Sequence, residues 1–270
     1  MKIHQIYFDE QQKAVLDPDF IPYDNSNSDN PTLAEWWVIY KEFQNQSKTE
    51  PWGFLSWRFY EKMRLTGNQV KRHITNNPGY DVYIFNPCVP HEALFYNSWI
   101  QGDMHHEGLI EVTNYFLEKI EFPIDDVIET MTDRTNTVFC SNIIATNKFW
   151  KPYIEFTSKI FDLAKNDSWF FNKMFAPQRE TDSAKLRHPR HLDLPLFPFV
   201  QERLISLFLL QADLKVNAFQ YDDVTVPTYW KNNLGALQYL SDKKTELTRP
   251  EWAKLREQMV RTNPRLTLGI

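Results

Sequence analysis

Between Asn86 and Glu107 the sequence NPCVPHEALFYNSWIQGDMHHE crowds polar and titratable side chains behind an apolar run, YDVYIF. Asn86, His91, Glu92, Asn97, Gln101, Asp103, His105, His106 and Glu107 all fall within it. Imidazoles beside carboxylates can do two kinds of chemistry: they can pass a proton to or from a substrate, or they can ligate a divalent ion. His105 and His106 are adjacent. Neighbouring side chains of an extended chain point to opposite faces, so one ion could take both only at a turn. Proton transfer needs no such turn, which favours a loop histidine that hydrogen-bonds substrate or acts as general base. A solvated loop histidine is the plain alternative, and no metal ligand is assigned.

Three further stretches carry chemistry. WGFLSWRFYEK sets Ser56 and Arg58 among Trp52, Phe54, Trp57, Phe59 and Tyr60. A guanidinium there can fork onto a phosphate or carboxylate while a ring lies on a base or sugar face, or it can be a surface Arg on an edge strand. FCSNIIAT buries Cys140, Ser141 and Asn142 in an apolar strand, where an unpaired amide costs about 1–3 kcal/mol. These side chains must bond either backbone or a ligand. Cys140 is disfavoured as a nucleophile because no basic partner is near it in sequence. In PFVQERLISLFLL the only charges are Glu202 and Arg203. Adjacent helical positions diverge by roughly 100°, so the two serve different faces, and a cleft-facing Glu202 would be a general base or an acceptor for a sugar hydroxyl.

The elements that must position these residues follow from periodicity. KIHQIYF alternates as a first strand, and LDPDFIPYDNSNSDNP reads as a surface loop of turn residues. TLAEWWVIYKEFQNQ is helical, with Thr32 and Glu35 spaced as a capping box. PWGFLSWRFYEKM is a strand or strand-to-helix turn, and TGNQVKRHITNN is a helix opened at Thr66. A strand at 80–86, a helix over 107–120, a buried strand in NTVFCSNIIAT and a helix in NKFWKPYIEFTSKIFDLAKN follow. After the loop RHPRHLDLPLF come an apolar helix, PFVQERLISLFLLQ, and a polar one, RPEWAKLREQMVRTNP, with Pro250 in its first turn. Alternating strands and helices predict a mostly parallel sheet with helices on both faces, and a ligand outside the carboxyl ends of its strands. The polar loops after Phe8, Phe85 and Phe139 should converge there.

Composition narrows the classes. Aromatic residues make up 15% of the 270 residues and glycines number seven, with no GxGxxG or P-loop pattern. Gly-rich phosphate cradles are therefore excluded in favour of an aromatic-lined site. The net charge of −5 gives no footprint for nucleic acid. From Lys243 onward the net charge is +4, which leaves −9 for residues 1–242. That basic tail is either a solvated helix or an attraction to an anionic membrane surface or acidic partner. The two cysteines, Cys88 and Cys140, fit a reducing compartment and lack metal-ligand spacing. No signal-peptide stretch or membrane span is apparent, and a cytoplasmic location is expected.

IYFDE, LDPDFIPYDN, WGFLSWRFYEK, YDVYIF followed by NP, WIQGDMHHEGL, FCSNIIATNKFW and FVQERLISLFLL together resemble a group of bacterial proteins encoded with capsule and lipopolysaccharide assembly genes and described as glycosyltransferases. Their layout also looks like that of small sugar-nucleotide transferases of the GT-A type, over residues 1–220. The resemblance implies an α/β fold, a single Rossmann-like (GT-A type) mixed sheet flanked by helices, with domain limits at 1–242 and a C-terminal helical extension at 243–270. It implies transfer of a sugar from a nucleotide-sugar donor to a saccharide acceptor, a growing surface polysaccharide, at the cytoplasmic side of the inner membrane. Donor contacts would come from Tyr7, Arg58, Asp81 and Asn86, and acceptor contacts from Trp57, Gln101, Ser141 and Asn142. Asp103, His106 and Glu202 would be catalytic. One departure stands out: a metal-dependent member would carry Asp-x-Asp where this chain has Phe85, Asn86 and Pro87. Asp17-Pro18-Asp19 reads as a turn, and neither Asp125-Asp126 nor Asp222-Asp223 follows a strand end. Mn or Mg is thus not assigned a site, and leaving-group charge falls to Arg58, another cation or a histidine. Rival readings are a non-catalytic sugar- or nucleotide-binding protein and a scaffold subunit of a polysaccharide assembly complex.

Overall fold

Six strands form one mixed sheet in the order β2-β1-β3-β5-β4-β6. The structure, a computed structural model, describes residues 1–47, 49–87, 89–177, 195–222, 224–228 and 230–267. Cys88, Asp223 and most of the loop RHPRHLDLPLF lie outside the described residues. The alternating start of the chain makes β1 (Lys2–Tyr7), which is followed by a single turn, α1 (Glu10–Lys13). The stretch read as a surface loop contributes β2 (Ile21–Asp24), a half-exposed edge strand parallel to β1. Its turn residues hid it, because an edge strand needs neither an apolar face nor every ladder N–H, and Pro22 is tolerated there.

Thr32 does not cap a helix. A 3-10 turn covers Pro31–Leu33, and α2 (Ala34–Glu42) begins at Ala34, whose φ is 47°. Then come β3 (Trp52–Ser56), α3 (Phe59–Met63) and α4 (Gly67–Asn76), the last opened by a Thr66–Gln69 capping box as its sequence predicts. β4 spans only Val82–Ile84. The polar stretch after it is not a loop throughout: it holds α5 (Val89–Leu94) and α6 (Ser98–Asp103) before α7 (Leu109–Lys119). β5 covers Ile143–Ala145, so Cys140, Ser141 and Asn142 precede the strand instead of lying within it. α8 (Asn147–Asn166), α9 (Ser168–Phe175), α10 (Phe197–Gln211), β6 (Val216–Ala218), α11 (Leu234–Asp242) and α12 (Arg249–Thr262) complete the chain.

The two faces of the sheet bury different residues of each strand. Ile6, Trp52, Phe54, Val82, Ile84, Ile143 and Ala145 pack under α2, α7, α8 and α10. Ile3, Leu55, Tyr83, Phe85 and Ile144 pack under α3 and α4. This is the period-2 pattern of a strand buried on both sides. Gly53 lets β3 and β5 approach: a Cβ there would sit 2.4 Å from the Ile143 carbonyl oxygen. A third, smaller core joins Ala93 and Leu94 of α5 to Leu237, Leu240, Trp252 and Leu266. The expected boundary at 242/243 therefore falls inside this packed group, and α12 is a docked helix. Of the cations from 243 onward, Lys243 pairs with Glu246, Arg249 with Glu129 and Arg261 with Glu257. Among the described residues no helix is long and apolar enough to cross a membrane.

Strand direction matters most for the site. β5 runs antiparallel to both β3 and β4, while the remaining pairs are parallel. Its beginning therefore lies at the edge where β1, β3, β4 and β6 end.

Candidate functional site

At that carboxyl edge β3 turns through Trp57 and Arg58 into α3. Arg58 and Lys62 are four residues apart and share a face of the turn. The Arg58 guanidinium forks onto Glu61, at 2.9 and 2.5 Å, and lies 5.9 Å from the centre of the Trp57 ring. It is thus already oriented by an acid of its own helix. Lys62 is oriented differently. Its ammonium hydrogen-bonds the Cys140 sulfur and lies in the field of Glu202 and Glu35; these anionic neighbours, with a Cys140 thiolate first and the two carboxylates after it, push its pKa well up. Burial raises the Cys140 pKa in turn, so at neutral pH the sulfur is a thiol and the carboxylates hold the lysine's charge.

The loop that supplies Cys140 is pinned to α10. Val138 N–H donates to Ser206 Oγ at 2.9 Å, and the Cys140 N–H donates to the Glu202 carboxylate one turn earlier on the same helix face. Cys140 and Ser141 both have left-handed backbone, with φ of 65° and 48°. Such residues cost about 1–3 kcal/mol each and persist where surrounding contacts over-determine them. The loop then re-enters the sheet, where Phe85 N–H donates to the Asn142 carbonyl at 2.9 Å. Burial pushes the Glu202 carboxyl up to about 6, against the pull of Arg203 and Lys62. A carboxylate that titrates near 6 can take a proton from a substrate near neutral pH.

Arg203 faces elsewhere, as the divergence of adjacent helical positions requires. It donates to the Ser98 carbonyl at 2.8 Å and to Gln101 Oε1 at 3.1 Å, which ties α6 to α10. Gly102 makes room for it, since a Cβ would meet the guanidinium at 2.3–2.6 Å.

The residues singled out from sequence separate into groups. Arg58, Trp57, Asn86, Ser141, Asn142 and Glu202 are at or beside the carboxyl edge. Asn86 Oδ1, Ser141 Oγ and both polar atoms of the Asn142 amide are buried without a protein partner. Orphaned polar atoms of this kind mark places where a ligand donor or acceptor is worth most. Tyr7 ends β1 two strands away from β5, with its hydroxyl bonded to Asp24. Gln101 serves the α6–α10 tie. Asp103 accepts from Ile110 N–H at 3.0 Å in the first turn of α7, and His106 stacks on Phe199 with ring centres 3.5 Å apart. Those two fasten the helices around α10. Asp81 is at the opposite edge, where it accepts from Lys148 Nζ at 3.1 Å and from Lys215 N–H at 2.9 Å. Its place before β4 puts it at the amino end of a parallel strand.

Lys62 and Glu35 escaped sequence reasoning. Lys62 carries a signal: it stands at i+4 from Arg58, the spacing that joins two cations on one helix face. Glu35 carries none, having the look of a capping-box acid. Among the described residues no group of three or more His, Cys, Asp or Glu side chains is placed to hold a metal ion. No family model matches the chain, and no curated protein or solved structure matches it either.

Proposed function

We propose that the chain is a glycosyltransferase of GT-A type that moves a sugar from a nucleotide-activated donor to a saccharide acceptor, without a metal ion. The observation that carries this reading is the cluster of Lys62, Cys140, Glu202 and Glu35 at the carboxyl edge of a sheet with one reversed strand. Lys62 and Arg58 supply fixed positive charge for a diphosphate, and Glu202 supplies a carboxylate poised to change protonation in the working range. Asn86, Ser141 and Asn142 offer hydrogen-bonding atoms that no protein group uses.

The chemistry runs as one displacement. Glu202 accepts the proton of an acceptor hydroxyl, and that oxygen bonds to the anomeric carbon of the donor sugar. The bond from that carbon to the diphosphate oxygen breaks, and the nucleoside diphosphate leaves with the electron pair. Lys62 and Arg58 meet the charge that develops on it, and Glu202 returns its proton to solvent. A diphosphate beside Glu202 raises the affinity of that carboxyl for its proton, so donor binding takes up a proton and tightens as pH falls towards 6.

The test is a thermal-shift screen of nucleotide sugars in excess chelator, because a ligand that binds only the folded state raises the unfolding midpoint. A concentration-dependent rise with at least one donor, followed by slow donor hydrolysis, is expected. A flat response across all donors excludes the reading. Binding without hydrolysis or transfer to any glycoside favours a non-catalytic binding protein instead.

A further inference from the structure

A cavity opens on the same edge, past Asn86, between the ends of β4 and β6 and the helices α5 and α11. Asn86, Glu92, Phe219, Gln220, Gln238 and Ser241 are among its lining residues. About 50 Å³ of it can be occupied by water-sized groups. A water needs about 10–15 Å³ of such space, so there is room for about three to five of them. The hydroxylated edge of a small ring fits that space.

Charge narrows the ligand further. Arg134 on the wall is engaged by Asp242, and Glu92 is engaged by Lys244 and by Ser241 Oγ, the latter at 2.9 Å. No uncompensated charge is left for a phosphate. The Gln238 amide nitrogen is used by the Tyr221 carbonyl at 2.9 Å, which fixes that side chain. Asn86 Oδ1, by contrast, is a buried acceptor with no protein donor. It asks for an O–H or N–H from a ligand. Phe219 adds an aromatic wall, and sugars present apolar faces edged with hydroxyls.

We propose that this cavity seats one hydroxylated ring edge of an uncharged saccharide, with Asn86 Oδ1 accepting from a ligand hydroxyl and Phe219 against the ring. Its role as the acceptor's anchor rests on the transfer reading above, but binding of the saccharide does not. Along the sheet edge β4 and β5 lie between this cavity and the end of β3, from which the chain leads to Lys62. α5 and α11, the helices of the C-terminal core, would then form the saccharide-facing wall.

The probe is a set of methyl glycosides of glucose, galactose, mannose and N-acetylglucosamine, read by saturation-transfer NMR on the full chain. At least one is expected to receive saturation from the wild type. Ala218→Leu, which fills the cavity from β6, is expected to weaken that glycoside by at least about tenfold by steric exclusion. Gln220→Ala, milder for folding, is expected to weaken it by a smaller factor, and both variants are checked by thermal midpoint. Silence from every glycoside, or binding unchanged in both folded variants, overturns the proposal. Nucleotide-sugar binding is measured separately on the wild type. Its failure beside intact glycoside binding removes the transfer reading and leaves the saccharide cavity standing.

Discussion

Lys244 and Lys62 are held in opposite ways. Lys244 is 2% exposed, inside the core formed by α5, α11 and α12. Its ammonium donates to the carbonyls of Glu92 and Phe95, sits 3.8 Å from the Glu92 carboxylate and lies 5.3 Å from the centre of the Trp252 ring. Backbone oxygens take its protons, and burial pulls its pKa down while burial pushes that of Glu92 up. Lys62 is less completely buried than Lys244, has a thiol and two carboxylates for company, and is pushed up. A lysine whose protons are spent on carbonyls is part of the scaffold. One held by titratable side chains at the carboxyl edge of the sheet, beside left-handed Cys140 and Ser141, has partners that a change of protonation or a ligand could replace.

The largest difference should appear in stability. Lys244→Met leaves Glu92 buried without its cation and two carbonyls without a donor, and should cost about 3–5 kcal/mol in urea unfolding. Lys62→Met should cost no more than about 1–2 kcal/mol, because Glu202 already titrates near 6 and can take a proton where water reaches. Equal losses at the two sites would erase the contrast between scaffold and site.

Glu202→Gln sharpens it further. The carboxyl's folded pKa of about 6 stands above the ordinary 4.5, so ionised Glu202 weakens the fold. Its contribution is most favourable below 4.5 and is lost as pH rises through 6. A shift of this size corresponds to about 2 kcal/mol. Gln at this position can still accept from Cys140 N–H, and the variant should be more stable than the parent at neutral pH by about 1–2 kcal/mol. Transfer should fall by about 10²–10⁴-fold, the usual range for loss of a general base. In the parent, kcat/KM should rise with pH through an apparent pKa near 6. A variant that is both active and no more stable would remove Glu202 from the role of base.

The smallest effect is expected from Arg58→Ala. The Arg58–Glu61 fork is exposed and costs under about 1 kcal/mol to lose. Because Glu61 already engages the guanidinium, donor affinity should weaken by only about three- to tenfold, read by titration of the nucleotide sugar.

Legibility in the sequence followed the physics of each feature. Elements with a strong period or a complete cap were readable: the alternation of KIHQIY, the Thr66–Gln69 box of α4, and the apolar span of α10 that isolates Glu202 from Arg203. Edge strands were not, since β2 and β6 bury too little to impose a pattern. The short helices α5 and α6 hid in a polar stretch because residues such as Asn97 and Gln101 spend their polarity on structure: Asn97 caps α6 and donates to the Val127 and Thr130 carbonyls. At the site, Glu202, Arg58 and the FCSN segment announced themselves as polar groups in apolar surroundings. Lys62, Glu35 and the direction of β5 depended on contacts between segments far apart in the chain.

The central claim, that Lys62 and its carboxylates form the donor site of a metal-independent transferase, is tested most directly by calorimetric titration of nucleotide sugars into the wild type and Lys62→Met, side by side in excess chelator. The wild type is expected to bind at least one donor, more tightly at pH 6 than at pH 8, and Lys62→Met to bind it at least about tenfold more weakly, the loss of one charge-assisted contact. Equal affinities in the two proteins, or binding that needs Mn or Mg, would contradict it.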